Sequence, residues 1–376
     1  MINFWSYKDE YKNNRSELLN IIDKSIKSGQ IFFGKNLNNF ENNFKKKYKS
    51  KYGIAVKSGT DAILIALMSL GIKKGDEVIT ASNTAIPTVS AIVNSGAKPI
   101  LVDIDEDYLI DHRKINKVIS KKTKAIIPVH LYGKPCDMNE IMKISRKHNI
   151  PIIEDCAQAQ GAKFENKFVG SLGLLGCFSF YPTKILGGYG DGGFILTNDY
   201  KLYKKAKNIR FYGIDTVNKQ NKFFNKYYCN INGLNSRLDE INSSILNFKL
   251  KKVDSFIKKR RNIANIYNKK LKTTSLVLPN INNKKFDVYH LYTVFHKKRD
   301  IIIKKLLDKG IQTRTIYPYP INKMKGYKQY FYNKKFAKCE IKSKGIFSLP
   351  LYPNLKIKDV NKICQILLKI MKFIDD

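Results

Sequence analysis

The stretch Ser179-Phe-Tyr-Pro-Thr-Lys184, continued by Ile185-Leu-Gly-Gly-Tyr-Gly-Asp-Gly-Gly193, places one lysine between a short aromatic run and a glycine-rich loop. The glycines allow the backbone of this loop to approach a bulky planar group closely. A lysine amine in such a setting can form a Schiff base with an aldehyde. Taken alone, Lys184 also fits a solvated surface charge, because lysine is abundant along the whole chain.

An acidic partner for this lysine lies upstream, in the run Ile152-Ile-Glu-Asp155-Cys-Ala-Gln158. The apolar residues predict a buried strand with its carboxylates at the carboxyl end. A lysine and an aspartate at two strand ends of one sheet form the pair that pyridoxal phosphate requires. The lysine holds the aldehyde, and the carboxylate keeps the pyridine nitrogen protonated so that the ring draws electrons. Asp155 alone also fits a helix cap after a strand.

Length and composition are those of a globular α/β protein. The 376 residues suffice for a large core and a smaller second domain, and 43% of them are hydrophobic. The six cysteines show no CxxC spacing, so we expect reduced thiols, a cytoplasmic location and no metal site. The N-terminus lacks the pattern of a signal peptide, and the longest apolar stretch, residues 62–70, is too short to cross a membrane.

The formal net charge of +38 raises the alternative of a nucleic-acid partner. The lysines are scattered in twos and threes along the chain, however, and no helix-turn-helix, zinc-finger or RNA-binding signature accompanies them. The sequence therefore predicts neither a nucleic-acid nor a membrane partner. A small substrate that carries phosphate would also benefit from the positive field.

Residues 50–200 alternate short apolar runs with helical ones, which predicts a largely parallel sheet covered by helices on both faces. The predicted strands are residues 53–57, 77–81, 99–103, 125–129, 151–155, 177–181 and 193–197. Helices are predicted at residues 61–70 and 87–94. Such a sheet carries its ligand at the carboxyl ends of its strands.

A long helical pattern from residue 238 to about 271 would lead into a C-terminal α+β unit. In that unit the sequence predicts a strand at 290–295, a helix at 299–309, a strand near Gln312 and a last helix at 357–374. We therefore predict a large cofactor-binding domain, residues 1–245, and a small C-terminal domain, residues 246–376.

Further residues could complete a site around Lys184. Ser58-Gly59-Thr60-Asp61-Ala62 follows a strand and opens a helix, so its free N–H groups could bind phosphate, or it could be a simple capped turn. The Ser179 hydroxyl could reach the same phosphate. Gln158 could meet a cofactor oxygen or be a first-turn helix residue, and Asn235 could be a plain helix cap.

In these motifs the chain resembles the DegT/DnrJ/EryC1/StrS sugar aminotransferases, which are pyridoxal phosphate enzymes of fold type I. The resemblance covers nearly the whole chain, and its motifs follow in the family's order. Besides the segments quoted above, it includes Ser28-Gly29-Gln-Ile-Phe-Phe-Gly34, Val102-Asp-Ile-Asp105, Pro128-Val-His-Leu-Tyr-Gly133, Asn235-Ser-Arg-Leu-Asp-Glu240 and Ser348-Leu-Pro-Leu-Tyr-Pro353.

The resemblance implies a role for each candidate residue. Lys184 would carry pyridoxal phosphate, Asp155 would pair with the pyridine nitrogen, and Gln158 would lie near the phenolic oxygen. It also implies a fold with a mostly parallel seven-stranded sheet and a smaller C-terminal α+β domain.

The phosphate site and the quaternary structure follow from the same resemblance. Gly59, Thr60 and Ser179 would hold the phosphate, joined by Asn235 from a second subunit. The protein would then be a homodimer with shared active sites.

The reaction implied is amino transfer from L-glutamate to a ketone on a nucleotide-linked deoxysugar, as in the biosynthesis of lipopolysaccharide O-antigen sugars. Lys184 would move the proton between cofactor and sugar carbons. Some family members carry histidine in place of this lysine and dehydrate sugars, and the presence of Lys184 argues against that branch.

The chain departs from the family pattern at Ala85, where an aromatic usually stacks on the pyridine ring, and at Gln160, often a histidine. The run Asn83-Thr84-Ala85-Ile86-Pro87 resembles enzymes that convert a dTDP-linked 3-keto-6-deoxyhexose to a dTDP-3-amino-3,6-dideoxyhexose. The alternatives are C4 amination of a UDP- or dTDP-4-keto-6-deoxy sugar and, in another class, a non-catalytic regulatory protein that binds pyridoxal phosphate.

Overall fold

A computed structural model describes residues 1–215 and 228–375. The strands are β1 (Tyr52–Val56), β2 (Glu77–Ala81), β3 (Lys98–Val102), β4 (Thr123–Ile127), β5 (Ile153–Asp155), β6 (Lys163–Phe164), β7 (Lys167–Phe168), β8 (Leu175–Ser179), β9 (Gly193–Thr197), β10 (Lys285–Phe286), β11 (Tyr292–Phe295) and β12 (Ile346–Leu349). The α-helices are α1 (Lys8–Lys27), α2 (Lys35–Lys47), α3 (Gly59–Ser69), α4 (Ile86–Asn94), α5 (His112–Ile115), α6 (Met138–His148), α7 (Tyr200–Arg210), α8 (Glu240–Leu250), α9 (Val253–Leu271), α10 (Arg299–Asp308), α11 (Ala337–Gly345) and α12 (Ile357–Asp375).

Seven strands form the main sheet, in the order β3-β2-β4-β5-β8-β9-β1. Parallel bridges between Ile126 and Ile152 and between Val129 and Asp155 join β4 to β5. All neighbours run parallel except at β9, which is antiparallel to both β8 and β1. The predicted mostly parallel sheet of seven strands is confirmed.

The sheet is buried on both faces because its strands are apolar almost throughout. In β1, Ile54 and Val56 face a core that contains residues of α3, α4 and α7, whereas Ala55 belongs to the core that contains residues of α2, α6 and α8. This alternation is the period of two expected for a strand covered by helices on both sides. The carboxyl edge of the sheet is thereby held between two layers of helices.

An aromatic cluster fixes α2 against the strands that lead to the glycine-rich loop. The Phe44 ring lies 4.5 Å from the Phe194 ring, 5.1 Å from Phe178 and 5.4 Å from Phe180, and it stacks on Tyr48 at 4.7 Å. Phe44 itself is fully buried. Because β8 and β9 flank the segment that contains Lys184, this packing also fixes the two ends of that segment.

The C-terminal unit has its own apolar core, built from α9, α10, α12, β11 and β12. The predicted single helix over residues 238–271 is wrong, since α8 ends at Leu250 and α9 begins at Val253. The break lets α8 pack within the core of the main sheet, while the later turns of α9 pack in the second core. The predicted domain boundary between residues 245 and 246 falls within α8 and stays a prediction.

The predicted strand near Gln312 is also wrong. The Gln312 N–H donates to the Ile2 carbonyl at 3.0 Å, whereas Arg314 pairs with Ser348. The segment therefore divides its hydrogen bonds between two partners and forms isolated bridges instead of a ladder. Among the described helices, none is both long and apolar enough to cross a membrane.

Replacing Phe44 by alanine is expected to lower the free energy of unfolding by about 3–5 kcal/mol, because the cavity left among the surrounding aromatic rings cannot close. Chemical denaturation monitored by circular dichroism measures this change. Phe373→Ala is the matched control, since Phe373 is 67% exposed, and its effect should stay below about 1 kcal/mol. Equal losses in the two variants would contradict the assigned packing.

Candidate active site

The structure brings most of the predicted site residues to one edge of the main sheet. β5 ends at Asp155 and β8 ends at Ser179, and Gly59 begins α3 directly after β1. These three strands run parallel, so their carboxyl ends share an edge. Lys184 follows β8 in a turn fixed by its N–H, which donates to the Tyr181 carbonyl at 2.8 Å. Lys184 also interacts electrostatically with the Asp155 carboxylate.

Asp155 is a buried carboxylate with defined hydrogen-bond donors. Its Oδ2 accepts from the Thr88 hydroxyl at 2.8 Å, and its Oδ1 accepts from the Ala157 N–H at 3.0 Å. Burial raises the pKa of Asp155 above its usual range, while these two donors and the positive charge of Lys184 oppose the shift. The carboxylate therefore lies in a site of low polarity but keeps partners that favour its charged form.

Lys184 responds to the same environment in the opposite sense. Burial lowers the pKa of the Lys184 ammonium to about 8, and the negative charge of Asp155 opposes the shift. An amine with this pKa exchanges a proton readily near neutral pH. Such a group is suited to carry protons and to act as a nucleophile.

A second set of groups can bind an anion. Gly59 and Thr60 are the first residues of α3, so their N–H groups have no acceptor within the helix. The cap residue Ser58 accepts instead from the Asp61 N–H at 3.0 Å. A Cβ added at Gly59 would lie 2.6 Å from the Ser179 Cβ, so the helix N-terminus and Ser179 are in direct contact. Free N–H groups beside a hydroxyl provide the chemistry of a phosphate site.

Gln158 lies in the turn after β5 and is 5% exposed, so the alternative of a first-turn helix residue is wrong. Its Oε1 accepts from the Tyr132 N–H at 2.8 Å, which leaves Nε2 to donate to the Tyr317 hydroxyl at 2.9 Å. Burial raises the pKa of Tyr317, and the charge of Asp155 adds to that shift. A tyrosine hydroxyl that remains protonated therefore lies beside the predicted cofactor residues.

Asn235 differs from the other candidates because its side chain is exposed on the single chain. Its backbone forms an isolated bridge with Phe211. The alternative of a helix cap is wrong, since α8 is capped by Asp239, whose carboxylate accepts from the Asn242 N–H at 2.7 Å. Exposure leaves Asn235 available to a second subunit.

The two departures from the family pattern have distinct environments. Ala85 is half-buried and immediately precedes α4, and its side chain is only a methyl group. Gln160 is 1% exposed, and its Nε2 donates to the Ser179 carbonyl at 2.5 Å. Gln160 therefore ties the turn after β5 to the end of β8.

The glycines of the loop after Lys184 approach protein groups. A Cβ added at Gly188 would lie 2.3 Å from Asn242 Oδ1, and one at Gly193 would lie 2.1 Å from the Ser58 carbonyl oxygen. Larger side chains at these positions would push the loop away from α8 and from the start of α3. The close approach at these two positions is thus to the chain itself.

His130, Glu154 and Cys156 lie close together beneath this edge, with their potential metal-ligand atoms within 4.8 Å of one another. His130 Nδ1 accepts from the Cys136 N–H at 3.0 Å, so Nε2 carries the proton and donates to Glu154 at 3.0 Å. Glu154 also accepts from the Gly170 N–H at 2.8 Å. The histidine and the glutamate are therefore hydrogen-bonded to other groups of the chain, and these bonds stabilise the ends of the strands.

Sequence reasoning missed Thr88 and Tyr317. Thr88 lies on the buried side of α4, where a threonine does not interrupt the apolar pattern and so gives no sign of a functional role. Tyr317 belongs to an irregular segment that has no periodicity to read. Both residues are distant from Asp155 in sequence, and only the folded chain brings their hydroxyl groups near it.

Comparisons with known proteins agree on one family. Residues 12–368 match the model of the DegT/DnrJ/EryC1/StrS aminotransferase family. The chain is 38% identical over 358 residues to a dTDP-3-amino-3,4,6-trideoxy-alpha-D-glucose transaminase of Micromonospora megalomicea, covering 93% of this chain and 94% of that protein. It is also 38% identical to a dTDP-3-amino-3,6-dideoxy-alpha-D-galactopyranose transaminase of Aneurinibacillus thermoaerophilus, covering 97% and 98%.

Other relatives carry names that refer to UDP-linked sugars, and one from Geobacillus stearothermophilus is named a pleiotropic regulatory protein. Among solved structures, S. venezuelae DesV in complex with a ketimine intermediate superimposes with a TM-score of 0.93 at 33% identity, covering 98% of each chain. The fold type I architecture expected from the sequence is thereby confirmed. The chain is an aminotransferase, and it belongs to the DegT/DnrJ/EryC1/StrS family.

Proposed function

We propose that this enzyme uses pyridoxal phosphate to transfer the amino group of L-glutamate to a dTDP-linked 3-keto-6-deoxyhexose, giving a dTDP-3-amino-3,6-dideoxyhexose. The observation that carries the proposal is that the buried Asp155 carboxylate, the turn that holds Lys184 and the contact between Ser179 and the start of α3 all lie at the carboxyl edge of the sheet. The names of two relatives, both transaminases of dTDP-linked 3-amino sugars, support the choice of substrate.

The residues present fit the cofactor. A protonated ring nitrogen needs a buried anion, and Asp155 is a 4% exposed carboxylate. An aldehyde needs an amine with a lowered pKa, which Lys184 supplies. A phosphate needs free N–H groups at a helix N-terminus, which Gly59 and Thr60 supply, with the Ser179 hydroxyl in contact with them.

Bound pyridoxal phosphate supplies an aldehyde and a ring that withdraws electrons from the reacting carbon. Lys184 Nζ accepts a proton from the α-carbon of glutamate in one half-reaction and delivers a proton to the sugar carbon in the other. Asp155 holds the proton on the ring nitrogen. Gln158 would contact the phenolic oxygen, and its side chain is held by the Tyr132 N–H and the Tyr317 hydroxyl.

The proposed active unit is a homodimer in which Asn235 of each subunit completes the other subunit's phosphate site. The support is that Asn235 is exposed on the single chain, while the other predicted phosphate ligands lie at the sheet edge of the same chain. An asparagine amide can donate hydrogen bonds to phosphate oxygens.

The choice of C3 over C4 rests on the space near Ala85. With the nucleotide diphosphate anchored, a ketone at C3 must lie in a different place from one at C4. A methyl group at the start of α4 leaves room for that change where an aromatic ring would not. The alternative is C4 amination of a UDP- or dTDP-4-keto-6-deoxy sugar.

A regulatory protein without catalysis is the less favoured alternative. One relative bears a regulatory name. A protein without catalysis could lose the lysine or the aspartate, however, and both Lys184 and Asp155 are present in this chain.

In the cofactor-free protein, Asp155→Asn is expected to lower the pKa of Lys184 below about 8, because the negative charge that opposes the burial effect is removed. The pH dependence of Lys184 acetylation, followed by peptide mass spectrometry, measures this pKa. Asp191→Asn is the control, since Asp191 is exposed in the same loop, and it should leave the midpoint unchanged. If the pH midpoint of Lys184 acetylation were unchanged or raised in Asp155→Asn, the proposed interaction between Asp155 and Lys184 would be wrong.

Borohydride reduction of the protein loaded with pyridoxal phosphate is expected to place the phosphopyridoxyl group on Lys184, because its amine is the one next to Asp155 at the sheet edge. Peptide mapping by mass spectrometry identifies the modified lysine. Lys184→Ala should lose both the label and transamination, whereas Lys201→Ala, at an exposed position on α7, should retain both. A label on another lysine of the wild type would refute the assignment.

With glutamate as donor, kcat/KM is expected to favour a dTDP-linked 3-keto-6-deoxyhexose over the corresponding 4-keto sugar nucleotides by at least about tenfold, a difference of about 1.4 kcal/mol in transition-state binding. Identification of the amino sugars by NMR confirms which carbon is aminated. Ala85→Phe should reduce the rate with the 3-keto substrate, and Ile86→Phe, at a neighbouring exposed position, serves as the control. A preference for the 4-keto compounds would overturn the C3 proposal and leave the aminotransferase assignment intact.

A further inference from the structure

We propose that Thr88 and Thr84 are positioning residues, which hold the Asp155 carboxylate ionised and in one orientation through two successive hydroxyl hydrogen bonds. The inference rests on the proposed use of pyridoxal phosphate, because it concerns the carboxylate that faces the cofactor's ring nitrogen. It assigns a role to Thr88 in α4 and to Thr84 just before this helix, two residues that have no role in the proposed reaction as described above.

The three side chains form a continuous buried chain. The oxygens of Thr84 and Thr88 are 2.8 Å apart, and the Thr88 hydroxyl lies 2.8 Å from Asp155 Oδ2. Thr84 is 1% exposed and Thr88 is fully buried. Water therefore cannot replace either hydroxyl without a change in the packing of α4.

The direction of these hydrogen bonds follows from the number of protons. An ionised carboxylate only accepts, so the single hydroxyl proton of Thr88 must point to Asp155. The oxygen of Thr88 is then an acceptor toward Thr84, and Thr84 must donate. A protonated Asp155 would compete to donate in the reverse direction. With Asp155 ionised, both hydroxyl protons point along the chain toward Oδ2 and stabilise its negative charge.

The same bonds fix the plane of the carboxylate. An ionised carboxylate has about four acceptor positions, two on each oxygen. Thr88 occupies one position on Oδ2, and the Ala157 N–H occupies one on Oδ1. Donors on both oxygens prevent rotation of the group and leave one acceptor position on each oxygen for a ring N–H.

Both hydroxyls come from one short segment. Thr84 stands two residues before α4, and Thr88 lies in its first turn, where its N–H donates to the Ala85 carbonyl at 3.2 Å. Ala85, between them, has an extended backbone just before the helix, and the chain turns there so that the Thr84 and Thr88 hydroxyl oxygens lie 2.8 Å apart.

The test is the affinity of the cofactor-free protein for pyridoxal phosphate, measured by absorbance titration. Thr88→Val keeps the shape but removes the hydroxyl, and it should raise the dissociation constant about tenfold or more, as expected for a hydrogen bond to a charged group. Thr88→Ser should restore affinity to within about twofold. Thr84→Val removes the hydroxyl that donates to Thr88 but leaves the Thr88–Asp155 hydrogen bond in place. It should therefore cause a smaller loss of affinity.

Thr80→Val is the matched control, because Thr80 is equally buried but its hydroxyl donates to the Ile127 carbonyl at 2.9 Å. It should change the affinity by less than about twofold. If Thr88→Val fails to fold, which thermal unfolding of the cofactor-free protein reports, Thr88→Ser and Thr84→Val carry the comparison. Loss of affinity in Thr80→Val as large as that in Thr88→Val would overturn the proposal.

Two further measurements separate positioning from general stability. In the Asp155→Asn background, Thr88→Val should have almost no additional effect, since the hydroxyl acts through the carboxylate. With a cofactor analogue that carries carbon in place of the ring nitrogen, the loss caused by Thr88→Val should also disappear. Equal losses with both cofactors would show a merely structural role and overturn the inference. A wild-type protein that does not bind pyridoxal phosphate would instead overturn the proposed function itself.

Discussion

Burial of the Asp155 carboxylate at the end of an apolar strand is the constraint around which the site is organised. Removing a carboxylate from water costs several kcal/mol unless donors and an opposite charge compensate for it. Here the Thr88 hydroxyl, the Ala157 N–H and the Lys184 ammonium provide that compensation. The same low polarity acts on Lys184 in the opposite sense and brings the pKa of its amine to about 8. One environment therefore produces both a stable anion and an amine that exchanges protons.

The sheet maintains this environment because several contacts lock its carboxyl edge. The Phe44 cluster holds α2 against β8 and β9, and Gln160 ties the turn after β5 to the Ser179 carbonyl. A glycine at position 59 lets the start of α3 touch Ser179 directly. Each of these contacts joins elements distant in sequence, so the site depends on the completed sheet and not on any single loop.

The sequence predicted the parts of this arrangement that depend on local pattern. The strand that ends at Asp155 and the helix predicted over residues 61–70, which begins two residues earlier at Gly59, follow from apolar runs and from the residues that bound them. The helix pattern over residues 238–271 concealed a break, because apolar periodicity continues while α8 and α9 pack in different cores. The bonds from Thr88 to Asp155 and from Gln158 to Tyr317 could not be predicted, since they join residues whose proximity only the tertiary fold creates.

In the proposed reaction, the segment around α4 would allow the choice of substrate and the chemistry at Asp155 to vary separately. Thr88 faces the buried carboxylate, whereas Ala85 lies half-buried at the start of the helix. In the proposed reaction, a change of side chain at residue 85 would alter the space beside the cofactor without removing either hydroxyl from the Thr84–Thr88 chain. The groups that stabilise charge at Asp155 can therefore remain the same while the position of the ketone changes.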